Sequence, residues 1–403
     1  MTNREIEMKK ILLASTAATL LATNAFADGH EINIGVILGF TGPIESLTPD
    51  MALGAELALN EANASGLLLG GKTLVSIRAD STCVDSSAAQ AAAEALVSND
   101  NVAAIMGADC SGVTGAVANN VAVPNGVVMI SPSATSPALS TIDDNGLFFR
   151  TSPSDARQGQ VLADILGDRG VASVALTYTN NDYGKGLADA FQSAFEAAGG
   201  TVTISAAHED GKGDYSAEVG ALAAAGGEML AVMGYADQGG VGIIQAALDT
   251  GAFDSFVMGD GMRSQSIVDA IGEDLEGSFG TQPGSAGEGA GKIAALLEGV
   301  AAQPDGPYTA ESYDAAALIA LAIQAGGSAD RASIAAQVLN VANAPGEPIG
   351  VGEIAKGLEI LANGGEIDYQ GASDVELIGP GEAAGSYQEW EVEGGTIVVK
   401  QIR

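Results

Sequence analysis

Histidine and cysteine are scarce in this 403-residue chain, which has two of each. Catalytic triads and most zinc sites depend on histidine, and here His30 lies near the start of the chain and His208 at the end of a predicted strand. The sequence also lacks the motifs of phosphate-binding loops, esterase nucleophile elbows, thiol redox pairs and calcium loops. It therefore does not indicate an enzyme, and it predicts neither a cofactor nor a metal ion.

Basic residues are few as well: 16 lysines and arginines stand against 51 aspartates and glutamates, a formal net charge of −35. A chain with this charge is repelled by phosphate backbones, so nucleic acid is excluded as a partner. Most of the acids are expected to form a solvated surface that keeps the protein soluble.

Long apolar runs are absent after the first 27 residues. At the start of the chain Lys9-Lys10 precede the apolar run 11–21, and Ala25-Phe26-Ala27 fits a cleavage site. This pattern predicts a signal peptide over residues 1–27, cut after Ala27, and a periplasmic location. Because no later run reaches 18 apolar residues, the mature protein is expected to be soluble.

The two cysteines, Cys83 and Cys110, allow two interpretations. An even count in an exported protein predicts one disulfide, which would stabilise the fold by roughly 3–4 kcal/mol. The alternative is a pair of unpaired buried thiols.

What the sequence does contain is a regular alternation of predicted strands and helices, which favours parallel sheets. One run covers residues 31–147 and a second follows from residue 148, while the segment from 286 to 362 is predicted to be helical, without strands of its own. The predicted class is α/β, with two doubly wound parallel-sheet lobes joined by a hinge of several chain crossovers. The predicted boundaries are residues 28–150 plus 281–384 for lobe I and residues 151–280 plus 385–403 for lobe II.

Two strand-to-helix turns in lobe I suggest a binding site. The apolar runs Val102–Met106 and Val127–Ile130 are typical of buried strands, and each is followed by small hydroxylated residues. Ser111, Ser133 and Thr135 would present hydroxyl and amide donors to a carboxylate at the carboxyl ends of the strands. Ordinary helix capping is the alternative explanation of these residues.

Lobe II offers complementary groups. Tyr183 follows a predicted strand and can lay its ring over a ligand, and Tyr235 is a further candidate contact. Asp260 lies between two glycines at the end of another strand, where an exposed carboxylate suits an ammonium group. The alternative for Asp260 is a solvated turn.

A set of short motifs across residues 31–403 resembles the leucine/isoleucine/valine-type amino-acid-binding proteins of ABC transporters. The motifs are Ile34-Gly35 with Thr41-Gly42-Pro43, Gly54-Ala55-Glu56 with Asn60-Glu61-Ala62-Asn63, Cys83 with residues 88–97, Gly107-Ala108-Asp109-Cys110-Ser111-Gly112, Ile130-Ser131-Pro132-Ser133-Ala134-Thr135, and Asp182-Tyr183-Gly184 with Gly186. The resemblance implies the type I periplasmic binding fold and a monomer that closes on an amino acid and delivers it to a membrane permease.

The resemblance also implies roles for individual residues. Ser111, Ser133 and Thr135 would hold the α-carboxylate and ammonium, Tyr183 would cover the ligand, and Asp260 stands where the family has an acid for the ammonium. The two cysteines match family positions too.

Three departures from the family bear on the ligand. Leu47 stands where branched-chain binders carry an aromatic residue, Asp109 takes an apolar position, and Glu45 lies in the loop at this end of the cleft. Carboxylates near a side-chain pocket disfavour an aliphatic ligand. A branched-chain amino acid is the family default, and a polar or basic amino acid, an amide or a polyamine is the alternative.

Two hypotheses from other classes stay open at this point. One is a ligand-sensing module of a membrane receptor, against which the export signal without a later membrane span argues. The other is a hydrolase that uses the acids of the cleft, and the shortage of histidine and nucleophile motifs argues against it.

Overall fold

The computed structural model describes residues 30–403, so the predicted signal peptide lies outside the described residues. The strands of this part of the chain are β1 (Glu31–Leu38), β2 (Thr73–Asp80), β3 (Ala104–Gly107), β4 (Val128–Ser131), β5 (Phe148–Arg150), β6 (Ser173–Thr179), β7 (Thr201–His208), β8 (Met229–Met233), β9 (Phe256–Met258), β10 (Phe279–Pro283), β11 (Glu347–Gly350), β12 (Ile367–Gly371), β13 (Leu377–Ile378), β14 (Glu382–Ala383), β15 (Tyr387–Glu393) and β16 (Thr396–Ile402).

The α-helices connect these strands. They are α1 (Thr48–Ser65), α2 (Ser86–Ser98), α3 (Ser111–Val117), α4 (Asp155–Asp168), α5 (Asp182–Ala197), α6 (Ser216–Ala225), α7 (Val241–Thr250), α8 (Gln265–Ile271), α9 (Gly289–Leu297), α10 (Thr309–Gly326), α11 (Arg331–Ala335), α12 (Val338–Ala342) and α13 (Ile354–Ala362).

Two seven-stranded sheets form the centres of the two lobes. The lobe I sheet has the order β13-β14-β5-β4-β3-β1-β2, and the lobe II sheet has the order β16-β15-β10-β9-β8-β6-β7. The strands from β1 to β5 and from β6 to β10 pair in parallel, whereas β15 and β16 add to lobe II in antiparallel fashion. The predicted class of two α/β lobes is confirmed.

The chain passes between the two sheets three times: after β5, after β10, and between β14 and β15. These crossings lie side by side, since β14 pairs with β5 and β15 pairs with β10. Several parallel connections restrict the lobes to a hinge motion.

The segment after β10 differs from the prediction. Residues 286–362 are predicted to be helical without strands of their own, but β11 lies among them and pairs with β12 in a small parallel sheet; β13 and β14, which follow this segment, extend the lobe I sheet. These strands have two to five residues each, which is too few to show the alternation that identifies a strand in sequence.

Helix α10 forms the centre of lobe I, because its residues from Thr309 to Gln324 are almost all buried. It packs against α1, and Gly54 allows the close approach: a Cβ there would lie 2.4 Å from the Thr309 carbonyl oxygen. A helix that is apolar all round belongs inside the fold. Its buried N-terminus brings polar residues to the boundary between the lobes. Among residues 30–403, no helix combines the length and apolarity needed to cross a bilayer.

Candidate functional site

The site begins where β3 and β4 end next to each other in lobe I. The two strands pair in parallel, with Met106 opposite Ile130, so the turns that follow them are neighbours, as the sequence predicted. Gly107 closes β3 with a φ of +122°, and a Cβ there would lie 2.1 Å from the Ile37 carbonyl oxygen. Only glycine suits this conformation and this close approach.

Hydrogen bonds join the two turns. The Ser133 hydroxyl donates to the Asp109 carbonyl at 3.1 Å, and the Ser136 amide donates to the Ser111 hydroxyl oxygen at 3.1 Å. Thr135 is buried in the same region, and its hydroxyl has no partner in the described chain. An unpartnered buried hydroxyl is available to a ligand.

A disulfide also restrains the turn that follows β3. Cys83 and Cys110 are bridged, with their Cα atoms 5.1 Å apart, so the predicted pairing is confirmed. The bridge connects the end of β2 to the residue that precedes α3.

Asp109 is buried beside this disulfide and is well supplied with donors. Its Oδ2 accepts from the Gly39 amide at 2.6 Å, and its Oδ1 accepts from the Ser81 hydroxyl at 2.8 Å. Burial raises the pKa of Asp109, while these hydrogen bonds act in the opposite direction. The carboxyl group therefore holds the ends of β1, β2 and β3 together.

Lobe II contributes Asp260, Tyr183 and Tyr235, and lobe I contributes Tyr308 from just before α10. Asp260 follows β9 and is buried, rather than lying in a solvated turn. Its Oδ1 accepts from the Tyr183 hydroxyl at 2.9 Å, and its Oδ2 accepts from the Tyr308 hydroxyl. Burial raises the pKa of Asp260, and the tyrosine hydrogen bonds oppose that rise. The rings of Tyr183 and Tyr235 stack with centroids 5.0 Å apart.

Asp155 is a second buried acid, which the sequence analysis missed; like Thr135 it lies beside the site and does not line the cavity between the lobes. It opens α4, its amide donates to the Thr135 carbonyl at 2.9 Å, and its side chain is 0% exposed. Neither carboxyl oxygen has a hydrogen-bond partner in the described chain. Burial raises the pKa of Asp155 well above its ordinary value and the negative charge of Asp260 raises it further, while the neighbouring Thr135 hydroxyl and the positive charge of Arg150 act in the opposite direction.

The nearby positive charge of Arg150 does not pair with Asp155. The Arg150 guanidinium donates to the carbonyls of Ala134 and Ser136 and forms an ion pair with Glu382 at 2.5 Å. Across residues 30–403 no ion pair links Asp155 or Asp260 to a base. Two buried acids thus share one region, and neither of them forms an ion pair within the described residues.

A cavity of about 20 Å³ lies between the lobes at this point. The predicted residues that line it are Leu47, Asp109, Ser111, Ser133, Tyr183, Tyr235 and Asp260, and the residues that the sequence analysis did not name are Ile44, Met51, Cys110, Gly261 and Tyr308. Ile44, Leu47 and Met51 give one side of the cavity an apolar surface. Glu45 is exposed at the surface and does not line the cavity.

Contacts between the lobes close the mouth of the cleft. The Ser46 amide donates to Asp237 Oδ2 at 2.8 Å, and the hydroxyl oxygens of Ser46 and Ser264 lie 3.1 Å apart. Arg263, which is buried, pairs with Asp305 at 3.0 Å. Within the described residues no cluster of three or more histidines, cysteines or acids is arranged to hold a metal ion.

Comparisons with known proteins identify the family of this chain. The family profile described as periplasmic binding protein matches residues 31–354. Leu/Ile/Val-binding protein homolog 3 of Brucella melitensis is 30% identical over 350 residues, covering 85% of this chain and 91% of that protein.

Solved structures show the same fold. The leucine-binding protein LivK of Thermotoga maritima superposes with a TM-score of 0.77 at 23% identity, covering 92% of this chain and 98% of that one. LivJ of Streptococcus pneumoniae, solved in complex with isoleucine, gives a TM-score of 0.74 at 22% identity, covering 93% of this chain and 99% of that one. The chain described here belongs to the periplasmic binding protein family.

Proposed function

We propose that this protein captures an α-amino acid with an aliphatic side chain in the cleft between its lobes and delivers it to an ABC permease, without catalysing a reaction. The observation that carries the proposal is the pair of buried acids, Asp155 and Asp260, with no basic partner. Two neighbouring buried carboxylates repel each other and lose hydration, so an ammonium group between them offsets both costs.

The remaining groups suit the other parts of an amino acid. The unpartnered Thr135 hydroxyl adds an acceptor for the ammonium, near Asp155. Ser111 and Ser133 line the cavity on the lobe I side, where their hydroxyls and the adjacent turns offer donors to the α-carboxylate. The proposed side-chain pocket is formed by Ile44, Leu47 and Met51.

The positions of Asp109 and Glu45 favour an aliphatic ligand over a cationic one. Both oxygens of Asp109 accept hydrogen bonds from within lobe I, and Glu45 is exposed away from the cavity. Neither acid requires a positive ligand side chain. Relatives named as Leu/Ile/Val-binding proteins support the same choice.

Ligand capture requires the lobes to move. A cavity of about 20 Å³ has room for one water molecule, so an amino acid is admitted only when the lobes separate. The sequence places the boundary at residue 281, but β10 continues to Pro283 in the lobe II sheet, so we place the moving bodies at residues 30–150 plus 284–384 and 151–283 plus 385–403. The contacts of Ser46 with Asp237 and Ser264 then re-form as the lobes close over the ligand.

The partner and location follow from the family. We propose that the protein acts as a monomer in the periplasm after cleavage following Ala27, and that the closed form docks on the permease. Family membership supports this arrangement, and the acidic surface suits a soluble carrier.

A thermal-shift screen on protein stripped of ligand by unfolding and refolding tests the proposal. Leucine, isoleucine and valine at about 100 times their dissociation constants should each add roughly 2.7 kcal/mol of stability. Mass spectrometry of the recovered ligand should show no chemical change. A shift with lysine, arginine or a polyamine, with none for the aliphatic amino acids, would contradict the proposal.

A further inference from the structure

A second cavity, of about 200 Å³, lies at the hinge, where the chain crosses between the lobes. We call it the hinge cavity. Gln282 of β10 and Gln388 of β15 form its lobe II wall, and α9 and the start of α10 form its lobe I wall. Tyr308 lines both the hinge cavity and the cavity of about 20 Å³ between the lobes, which we call the ligand cavity, so its side chain separates the two.

Glu311 is the chemically distinctive group of the hinge cavity. It lies in the first turn of α10 with 3% of its surface exposed. No other residue of the described chain forms a hydrogen bond or ion pair with its carboxyl group. Burial, with a smaller contribution from the charge of Asp314, raises the pKa of Glu311 to about 8.

Gln282 supplies a second free acceptor. Its amide nitrogen donates to Gln388 Oε1 at 2.8 Å, which leaves its own Oε1 buried without a partner. Buried acceptors without donors are uncommon and point to a missing partner. A partner for these two groups has to donate hydrogen bonds, and a positive charge would stabilise the Glu311 carboxylate.

We propose that the hinge cavity is a second ligand site, which takes a small primary ammonium ion between the Glu311 carboxyl and the Gln282 side-chain carbonyl. An ammonium group has three donors and no acceptor, which matches the two free acceptors. None of the residues that line the cavity is basic. A metal ion fits less well, because the described residues gather no group of three or more acids, histidines or cysteines there.

Binding at this site is coupled to a proton. At pH 7 most Glu311 carboxyls are protonated, since the pKa is about 8. An ammonium ion favours the carboxylate, so binding releases close to one proton at pH 7 and strengthens as the pH rises toward 9. The other titratable groups that face the cavity or Glu311 are Tyr308, Asp305 and Asp314; Asp305 is paired with Arg263, and Asp314 accepts from Tyr369 and Ser373.

Calorimetry on the mature protein with ethylammonium chloride tests this site, with potassium chloride at the same ionic strength as the reference. Titrations in two buffers of different ionisation heat measure the proton released. Glu311→Gln keeps the size of the side chain and should weaken ethylammonium binding at least about tenfold and abolish the proton release. The titrations are repeated with leucine at saturation, which occupies the ligand cavity and should leave ethylammonium binding at the hinge cavity unchanged.

Three results would overturn the proposal. They are no ethylammonium binding, equal binding of potassium, and ethylammonium binding that saturating leucine abolishes, which would place the amine in the ligand cavity. Leucine binding by Glu311→Gln serves as the folding control. Because ethylammonium carries no carboxylate, failure of leucine binding in the parent protein would bear on the proposed function and not on the hinge cavity.

Discussion

Asp109 and Asp155 are both buried aspartates beside the same cleft, with 1% and 0% of their surfaces exposed, but their surroundings differ. Asp109 accepts hydrogen bonds from Gly39 and Ser81, whereas neither oxygen of Asp155 has a partner in residues 30–403. Burial raises the pKa of both acids. Burial alone therefore does not distinguish a structural acid from a binding acid; the supply of donors does.

The same contrast separates the two sides of the cleft. The lobe I turns are cross-linked by serine hydrogen bonds and by the disulfide, so this side is already rigid without a ligand. On the other side Asp155 and Asp260 are buried close enough to affect each other electrostatically, and neither forms an ion pair within the described residues. The lobe I side is held in place by its own hydrogen bonds and disulfide, whereas the side with Asp155 and Asp260 is stabilised by a bound ligand.

The largest expected effect concerns ligand affinity. Asp155→Asn and Asp260→Asn each remove one charge from the ammonium site and keep the side-chain size. Each should weaken leucine binding by about 2–5 kcal/mol, roughly 30-fold to several-thousand-fold, because the ammonium would be buried with one acid fewer. Calorimetry measures the change. An affinity within threefold of the parent for both variants would show that these acids do not bind the ligand.

The disulfide should have the next largest effect, this time on stability. Replacing Cys83 and Cys110 together with serine opens a loop with a sequence separation of 27 residues. The free energy of unfolding should fall by roughly 3–4 kcal/mol. Urea denaturation of the ligand-free protein checks this value, and the parent under reducing conditions is the matched control. An unchanged midpoint would show that the bridge contributes little.

Substitution by asparagine should change the ligand-free stability in opposite directions at Asp109 and at Asp155. Asp109→Asn exchanges an acceptor for a donor opposite Gly39 or Ser81 and should lower ligand-free stability by about 1–3 kcal/mol. Asp155→Asn removes an unpaired buried charge and should raise it. Thermal unfolding of both variants without ligand makes the comparison, and a loss of stability in Asp155→Asn would count against the distinction.

The pH dependence of stability gives the smallest and most specific effect. Asp155 has a higher pKa in the folded protein than in the unfolded chain, so the folded state binds more protons between these two pKa values. The free energy of unfolding should fall as the pH rises through that range, by at most about 1.4 kcal/mol per pH unit for this group. Asp155→Asn should flatten the curve. Parallel curves for parent and variant at every pH above the ordinary pKa of an aspartate would contradict the assignment.

The parts of the molecule that sequence predicted well are local. Strands β3 and β4 are buried on both faces, so they read as continuous apolar runs, and the small hydroxylated residues that follow them mark the turns. The cysteines could be paired from their number and the export signal. The central sheets and one face of the site were therefore predictable.

The parts that were missed depend on contacts between distant segments. Asp155 resembles any acid in the first turn of a helix, where the helix dipole favours it. Asp155 comes close to Asp260, and its carboxyl group lacks hydrogen-bond donors, only in the folded chain. Tyr308 and Glu311 were missed for the same reason, since the start of α10 looks like an ordinary helix start in sequence.

The most direct test of the account compares leucine with 2-hydroxy-4-methylpentanoate, which has a hydroxyl group in place of the ammonium. Calorimetry on the stripped parent protein should show leucine binding at least about a hundredfold more tightly, because only leucine supplies the cation that Asp155 and Asp260 lack. The difference in affinity between leucine and 2-hydroxy-4-methylpentanoate should be smaller for the Asp155→Asn variant. Equal affinities of the parent protein for the two compounds would contradict the claim that these buried acids bind an ammonium group.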